Sequence, residues 1–421
     1  MNDNLEKLNN LAFVRDANSL YPLGEERYGN GEDRRMSKHT KTGAFLTPDG
    51  GVSFKIYAPD AHTVYITSAG LTAQHNSNID MLQMEKTGAG MKEYRLPLTK
   101  TAEGFFEGKI PPEDLEGYYG SLPFTFVVDG AGMVHPYCRT TWRNERLQNC
   151  IEIADPQLQE KFMLRKVPHG AVTYEMFWSD TRGTYSPCLV YTPADYGKVD
   201  KKWPVLYLQH GGGENETGWF TLGNVTEIMD NLVADGLAEP CVIVMNNTRF
   251  APVKPADGQD AGAMALGLVA DLVFNECMPF IESKYHVRTD KWGRAVAGLS
   301  KGSMQSSYLG FSRPDLFGYV GLFSGSIRCR HYWTEYEENP HLKIIRMGNE
   351  VIAENYKVIY RGIGAQEFGT RPWHKEDNEY IHEIGMDQLE CYHFTLHPTM
   401  CHEWGCFRRS LYEFVQLIFK S

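Results

Sequence analysis

The chain has 421 residues, a net charge of −11, 42% hydrophobic and 12% aromatic residues. An acidic balance without a long basic run argues against nucleic acid and anionic membrane surfaces as partners. No apolar run approaches the roughly 18 residues that a spanning helix needs, and the length makes two domains the natural expectation.

The N-terminus, Met1-Asn-Asp-Asn-Leu-Glu-Lys-Leu8, is polar and has no apolar h-region. The expected location is therefore cytoplasmic, or secreted with the leader already removed. Nine cysteines, scattered as at Cys138, Cys150, Cys188 and Cys241, suit free thiols better than a disulfide framework. Residues 1–35 read as a polar extension.

From 36 to 155 the signals are short alternating runs. Val52-Ser-Phe-Lys-Ile-Tyr57, Thr63-Val-Tyr-Ile-Thr67, Phe105-Phe-Glu-Gly-Lys-Ile110 and Phe124-Thr-Phe-Val-Val128 are the predicted strands, the last ending in the turn pair Asp129-Gly130. Short strands separated by turn signals predict a β-sandwich, and no helical pattern of any strength intervenes. A linker is expected between Ala154 and Gly170.

From 156 to 421 the texture becomes α/β. Val205–Leu208, Cys241–Met245, Arg294–Ala297, Tyr319–Phe323, Val358–Tyr360 and Cys391–Leu396 are apolar runs of the kind buried parallel strands show. Val269, Leu272, Val273, Cys277, Phe280 and Ile281 fall on one helical face, as do Phe407, Leu411, Phe414, Val415 and Ile418. The predicted fold is a mostly parallel sheet flanked by helices, preceded by an all-β domain.

Gly298-Leu-Ser-Lys-Gly302 reads G-x-S-x-G between a strand and a helix, the context of a nucleophile elbow at Ser300. A serine hydroxyl needs a base, an acid to orient that base, and donors for the oxyanion. His210-Gly-Gly-Gly213 follows a strand, and its amides, with that of Lys301, fit the donor role. His210 itself reads as a structural hydrogen-bonder beside the substrate site. The base must follow the last strand. His393 lies inside that strand, His397 at its exit, and His402 in the loop before the final helix, which favours His402. For the acid, Glu367, Glu350, Glu354 and Asp377 stay open on spacing alone, and Asp315 reads as a helix cap. Cys391, His393, His397, Cys401, His402 and Cys406 lie close together, but their spacing matches no zinc pattern, so no metal and no cofactor is expected. The run Arg328-Cys-Arg-His-Tyr-Trp-Thr334 lies at the same sheet edge, lining a pocket or facing solvent.

Tyr207-Leu-Gln-His-Gly-Gly-Gly-Glu-Asn-Glu-Thr-Gly-Trp219, Ile281-Glu-Ser-Lys-Tyr285, Arg294-Ala-Val-Ala-Gly-Leu-Ser-Lys-Gly302, Arg313-Pro-Asp-Leu-Phe317 and His402-Glu-Trp404 together resemble an esterase family. That family holds the feruloyl and acetyl-xylan esterases of carbohydrate esterase family one and the enterochelin esterases. The resemblance covers nearly all of 170–421 and implies an α/β-hydrolase fold, with Ser300 as nucleophile and His402 as base. It places the acid in a Gly-x-Gly-x-x-acid loop, here Gly362-Ile-Gly-Ala-Gln-Glu367. Glutamate stands where the family more often has aspartate, and Lys301 where methionine is common. It also implies oxyanion donors near Gly212, Gly213 and Lys301, and aryl or acetyl esters of plant carbohydrates as substrates. Trp219, Trp333, Trp373 and Trp404 are candidates for an aromatic wall around the acyl group.

Val52-Ser-Phe-Lys-Ile-Tyr-Ala-Pro-Asp-Ala61 and Phe126-Val-Val-Asp-Gly130 resemble immunoglobulin-like early-set domains, in which Tyr137 and Trp142 are candidates for stacking on sugar. The implied partner is a small-molecule or oligosaccharide ester, and a homo-oligomer is allowed. Two rival readings remain: a siderophore-ester hydrolase with the same chemistry, and a non-catalytic carbohydrate-binding protein on a hydrolase frame.

Overall fold

The computed structural model describes residues 42–76, 92–250, 261–328 and 348–420. The chain divides into two compact units, one running to Gln159 and including Glu403–Gly405, the other running from Glu160 to His402 and again from Cys406. The polar extension expected over 1–35 lies outside the described residues, as does most of the run Arg328–Thr334.

The first unit holds β1 (Gly43–Leu46), β2 (Val52–Tyr57), β3 (Val64–Thr67), β4 (Arg95–Pro97), β5 (Thr99–Lys100), β6 (Phe105–Ile110), β7 (Gly120–Val128), β8 (Ala131–Met133), β9 (Thr140–Arg143) and β10 (Arg146–Ile153). They form two sheets, β1-β2-β6-β5 and β4-β3-β7-β10-β9, with β8 paired to β7. Their pairings are antiparallel. Alternation decides which side is buried: Val52, Phe54 and Ile56 point inward, and the residues between them are half-exposed. The Phe54 ring meets Phe124 at 5.1 Å and Phe126 at 6.0 Å, so the two sheets share one core. Asp129 and Gly130 both take positive φ, 45° and 84°. That is what a two-residue hairpin turn demands, and it joins β7 to β8. Among the described residues two elements depart from the all-strand expectation: a 3-10 turn at Pro112–Leu115, and a helix at Ala69–His75, started by the Ser68 side chain accepting from Leu71 N–H. Seven residues are too few for a helical period to stand out from the alternating runs around them.

The second unit holds β11 (Ala171–Ser179), β12 (Thr184–Thr192), β13 (Val205–Gln209), β14 (Val242–Asn246), β15 (Arg294–Leu299), β16 (Tyr319–Phe323), β17 (Val358–Gly364) and β18 (Tyr392–His397). They make an eight-stranded sheet in the order β11-β12-β14-β13-β15-β16-β17-β18. From β14 through β18 the neighbours are parallel. The hairpin β11–β12 adds an antiparallel edge that the apolar runs do not announce. Residues of β13, β14, β15, β16 and β17 are buried throughout, as parallel strands covered on both faces must be. Val269, Leu272, Val273, Cys277 and Ile281 pack into the core beside Val205, Val242 and Val296. Their helix widens to a π turn over Leu272–Cys277. This turn ends two residues before Pro279, whose ring has no N–H and clashes with a regular ladder. No helix among the described residues is long and apolar enough to cross a membrane.

Parallel strands deliver the loops after them to one edge of the sheet, where open α/β sheets bind ligands. Here those loops begin with His210 after β13, Ser300 after β15, Ser324 after β16, Ala365 after β17 and Pro398 after β18.

Candidate active site

Ser300 sits between β15 and the helix Lys301–Ser312, with φ 53° and ψ −116°. Such a conformation costs a residue with a Cβ about 1–3 kcal/mol and persists only when its surroundings enforce it. Two close approaches enforce it. A Cβ on Gly298 would lie 2.5 Å from the Gly302 carbonyl oxygen, and one on Gly302 would lie 2.5 Å from the His210 carbonyl oxygen. Neither position accepts a side chain, so the elbow can press against the end of β13. The Ser300 N–H donates to Phe323 O at 2.8 Å, tying the elbow to β16 as well.

The structure brings Ser300, His402 and Glu367 into one line of hydrogen bonds. His402 Nε2 lies 2.8 Å from Ser300 Oγ, and His402 Nδ1 lies 2.6 Å from Glu367 Oε2. With Glu367 ionised, Nδ1 carries the proton and Nε2 is left to accept from the serine. The Phe407 ring meets the imidazole edge-on at 5.1 Å.

Glu367 is 1% exposed. Its Oε1 accepts from Ser324 Oγ at 2.6 Å and from Gly364 N–H at 2.9 Å. Burial pushes the carboxyl pKa up, but His402 and His374 pull it down more strongly, so it is held well below the ordinary carboxylate value. Sequence reasoning did not single out His374 or the role of Ser324, and it weighed Cys406 only within a cluster of possible metal ligands. His374 is wholly buried with Nε2 3.5 Å from Glu367 Oε2. The Cys406 thiol lies 3.8 Å from Glu367 Oε1, and burial together with that carboxylate keeps it protonated. Ser324 follows a buried strand and has φ 53°, and the Ser-Gly-Ser at that strand end was its one visible signal.

The other candidates lie elsewhere. Glu350 and Glu354 are exposed on the helix Asn349–Asn355. Asp377 is buried and accepts from Ile327 N–H at 2.9 Å and Arg328 Nε at 2.8 Å. Asp315 pairs with Arg313 at the surface. His397 Nε2 is 3.0 Å from Ser410 Oγ, and His393 is half-buried within β18. Burial lowers both of their pKa values. Among the described residues no group of three or more His, Cys, Asp or Glu side chains is arranged to hold a metal ion.

The loop His210–Gly213 lies against the elbow, since Gln209 pairs in register with Gly298. Gly211 N–H is committed to Glu214 Oε2 at 3.1 Å. Gly212 is exposed, Gly213 has φ 73°, and Lys301 opens the helix whose first amides lack partners within it. Trp219 is buried and donates its indole N–H to Gln209 O at 2.9 Å, so it packs beneath this loop. Trp404 is buried, Trp373 is half-buried against His374, and Trp333 lies outside the described residues.

His210 is buried, with Nδ1 2.8 Å from Gly211 O and Nε2 accepting from Thr248 N–H. That pairing specifies a neutral ring, and burial lowers its pKa from 6.5 to about 4. The unfolded chain therefore binds a proton that the native ring refuses between these values. The His210 contribution is present above pH 6.5 and is lost as pH falls toward 4, a loss on the order of 3 kcal/mol. His135, also lowered to about 4, acts in the same window. Urea midpoints at pH 7 and pH 4.5 should fall less for His210→Gln than for wild type. Equal falls would assign the acid sensitivity to other groups.

Residues 179–386 match the family model described as "Putative esterase". It is 34% identical over 290 residues to an endo-1,4-beta-xylanase/feruloyl esterase of Xylanibacter ruminicola, covering 66% of this chain and 36% of that protein. It is 21% identical over 253 residues to endo-1,4-beta-xylanase Y of Acetivibrio thermocellus, covering 55% of this chain and 21% of that one. The chain thus spans about a third or less of these two curated relatives. Among solved structures it resembles the ferulic acid esterase of Anaeromyces mucronatus, with TM-score 0.52, 22% identity, and coverage of 63% of this chain and 96% of that one. It also resembles the enterobactin esterase of Shigella flexneri, with TM-score 0.56, 14% identity, and coverage of 87% and 92%. Both likenesses establish the α/β-hydrolase fold.

Proposed function

We propose that this chain is a serine hydrolase of carboxylic esters. The observation that carries the reading is the continuous path from Glu367 through His402 to a strained Ser300. Ser300 Oγ attacks the ester carbonyl as its proton passes to His402 Nε2. The tetrahedral oxyanion is held by backbone N–H groups near Gly212, Gly213 and Lys301. The imidazolium then protonates the leaving alcohol, leaving an acyl-enzyme on Ser300. Water, deprotonated by His402, releases the acid and restores the serine. These steps need no cofactor.

The substrates we favour are feruloyl or acetyl esters of plant-derived carbohydrates. Their support is the 34% identity to a relative named as a xylanase/feruloyl esterase. A siderophore ester is the second reading, favoured by the larger share of this chain, 87%, that the enterobactin esterase fold covers. We read the first unit as an immunoglobulin-like early-set domain, on its two antiparallel sheets and the Asp129-Gly130 hairpin.

The test is a panel of p-nitrophenyl acetate, methyl ferulate, acetylated xylan and a cyclic catecholate lactone, with a fluorophosphonate probe for the serine. The expected result is labelling of Ser300 and fastest turnover of methyl ferulate or acetylated xylan. Preference for the lactone would select the siderophore reading. Folded protein that neither labels nor turns over any ester would leave the non-catalytic binding protein.

A further inference from the structure

His374 stands apart from the other histidines. It lies one residue into the helix Trp373–Glu383, with its side chain wholly buried. Among the described residues neither of its ring nitrogens makes a hydrogen bond. Leaving two buried polar nitrogens unmet is unfavourable, so a histidine here needs a reason. The Phe368 and Trp373 rings lie 6.1 Å and 5.9 Å from the imidazole and limit how it can turn. The polar group it faces is Glu367 Oε2 at 3.5 Å, the same oxygen that holds His402 Nδ1 at 2.6 Å.

We propose that His374 is a positioning residue for the triad, a second imidazole that fixes the Glu367 carboxylate from the side opposite Ser324 and Gly364. The inference rests on the serine-hydrolase reading above. Glutamate has one more rotatable bond than aspartate, so its carboxylate needs restraint at both oxygens. Ser324 Oγ and Gly364 N–H restrain Oε1. At Oε2 the His402 ring is itself the group being oriented, and it must be free to gain and lose a proton at Nε2 in each turnover. A His374 ring that donates its Nε2–H gives Oε2 a partner that does not change during the cycle. It holds the carboxylate while the charge on His402 comes and goes. Without it, Glu367 retains its charge but not its angle, and His402 points less often at Ser300.

The experiment compares His374→Leu, which removes the donor, with His374→Gln, which keeps an N–H at similar reach, in the full chain with a p-nitrophenyl ester. His374→Leu should lower kcat about 10- to 100-fold with KM within about twofold, and His374→Gln should recover most of that loss. In a Glu367→Gln background the Leu substitution should cost little more, since the group it positions is gone. Unchanged kcat in His374→Leu, or equal losses in Leu and Gln with equal falls in Tm, overturns the proposal. If the Leu variant does not fold, a ring 1H–15N correlation spectrum of wild type decides it. A proton on His374 Nε2 supports the proposal, and a proton on Nδ1 with bare Nε2 overturns it. Wild type that is inert toward esters and the serine probe fails the underlying hydrolase reading. Active wild type with an indifferent His374→Leu fails this inference alone.

Discussion

Ser300→Ala should lower kcat/KM toward any ester the chain accepts by about 10⁴-fold or more, with the fold intact. The side chain removed is one oxygen, and its partner His402 Nε2, 2.8 Å away, loses a hydrogen bond at a site where water can replace it. Little stability is at stake, because the elbow is shaped by Gly298, Gly302 and the Phe323 carbonyl rather than by the hydroxyl. Alanine inherits the φ of 53°, and glycine does not pay for it sterically. Ser300→Gly should therefore be as inactive as Ser300→Ala and melt no lower. Full-length protein of each variant, assayed for turnover and Tm, checks both statements. A Ser300→Ala enzyme that keeps a tenth of its activity would place the nucleophile elsewhere.

How much of this was readable in advance differs by element, for physical reasons. Strands β13 to β17 are buried on both faces, so their sequences are apolar runs that need no partner to be recognised. The elbow was readable because two glycines are forced by backbone contacts. The β11–β12 hairpin was not. It ends the sheet, and its outer face shows Tyr174, Met176, Trp178 and Tyr185 to solvent, so apolar residues occupy both faces and the alternation is erased. The acid was only half readable. Spacing left Glu350, Glu354 and Asp377 beside Glu367, and it is burial, the Gly364 amide and the reach to His402 that set Glu367 apart. His374 left no signal, since a single buried histidine near the start of a helix looks like any core residue until its neighbour is known.

Glu367→Gln should cost nearly as much as losing the serine, roughly 10³- to 10⁴-fold in kcat, although only one atom changes. The reason is the direction of the surrounding donors. Gly364 N–H can only donate, and at 2.9 Å it demands an oxygen at the Oε1 position. Ser324 Oγ, which donates there at 2.6 Å, adds to that demand. The glutamine carbonyl must therefore turn toward Gly364, which places its NH₂ group against His402 Nδ1. A donor facing Nδ1 forces the ring proton onto Nε2, where it meets Ser300 with the wrong polarity, and the serine has no base. Glu367→Asp keeps the charge and the tautomer but falls short by one methylene, so a milder loss, about 10- to 100-fold, is expected. The pH profile separates the two effects. Because the Glu367 carboxyl is held well below its ordinary value, wild type should lose activity on the acid side through a single protonation. Glu367→Asp should keep that single limb at a lower plateau. Glu367→Gln should be low at every pH, since its defect is a proton on the wrong nitrogen rather than one too many. Near-wild-type turnover in Glu367→Gln would mean that the carboxylate does not set the His402 tautomer, and that one of the other acids serves the base.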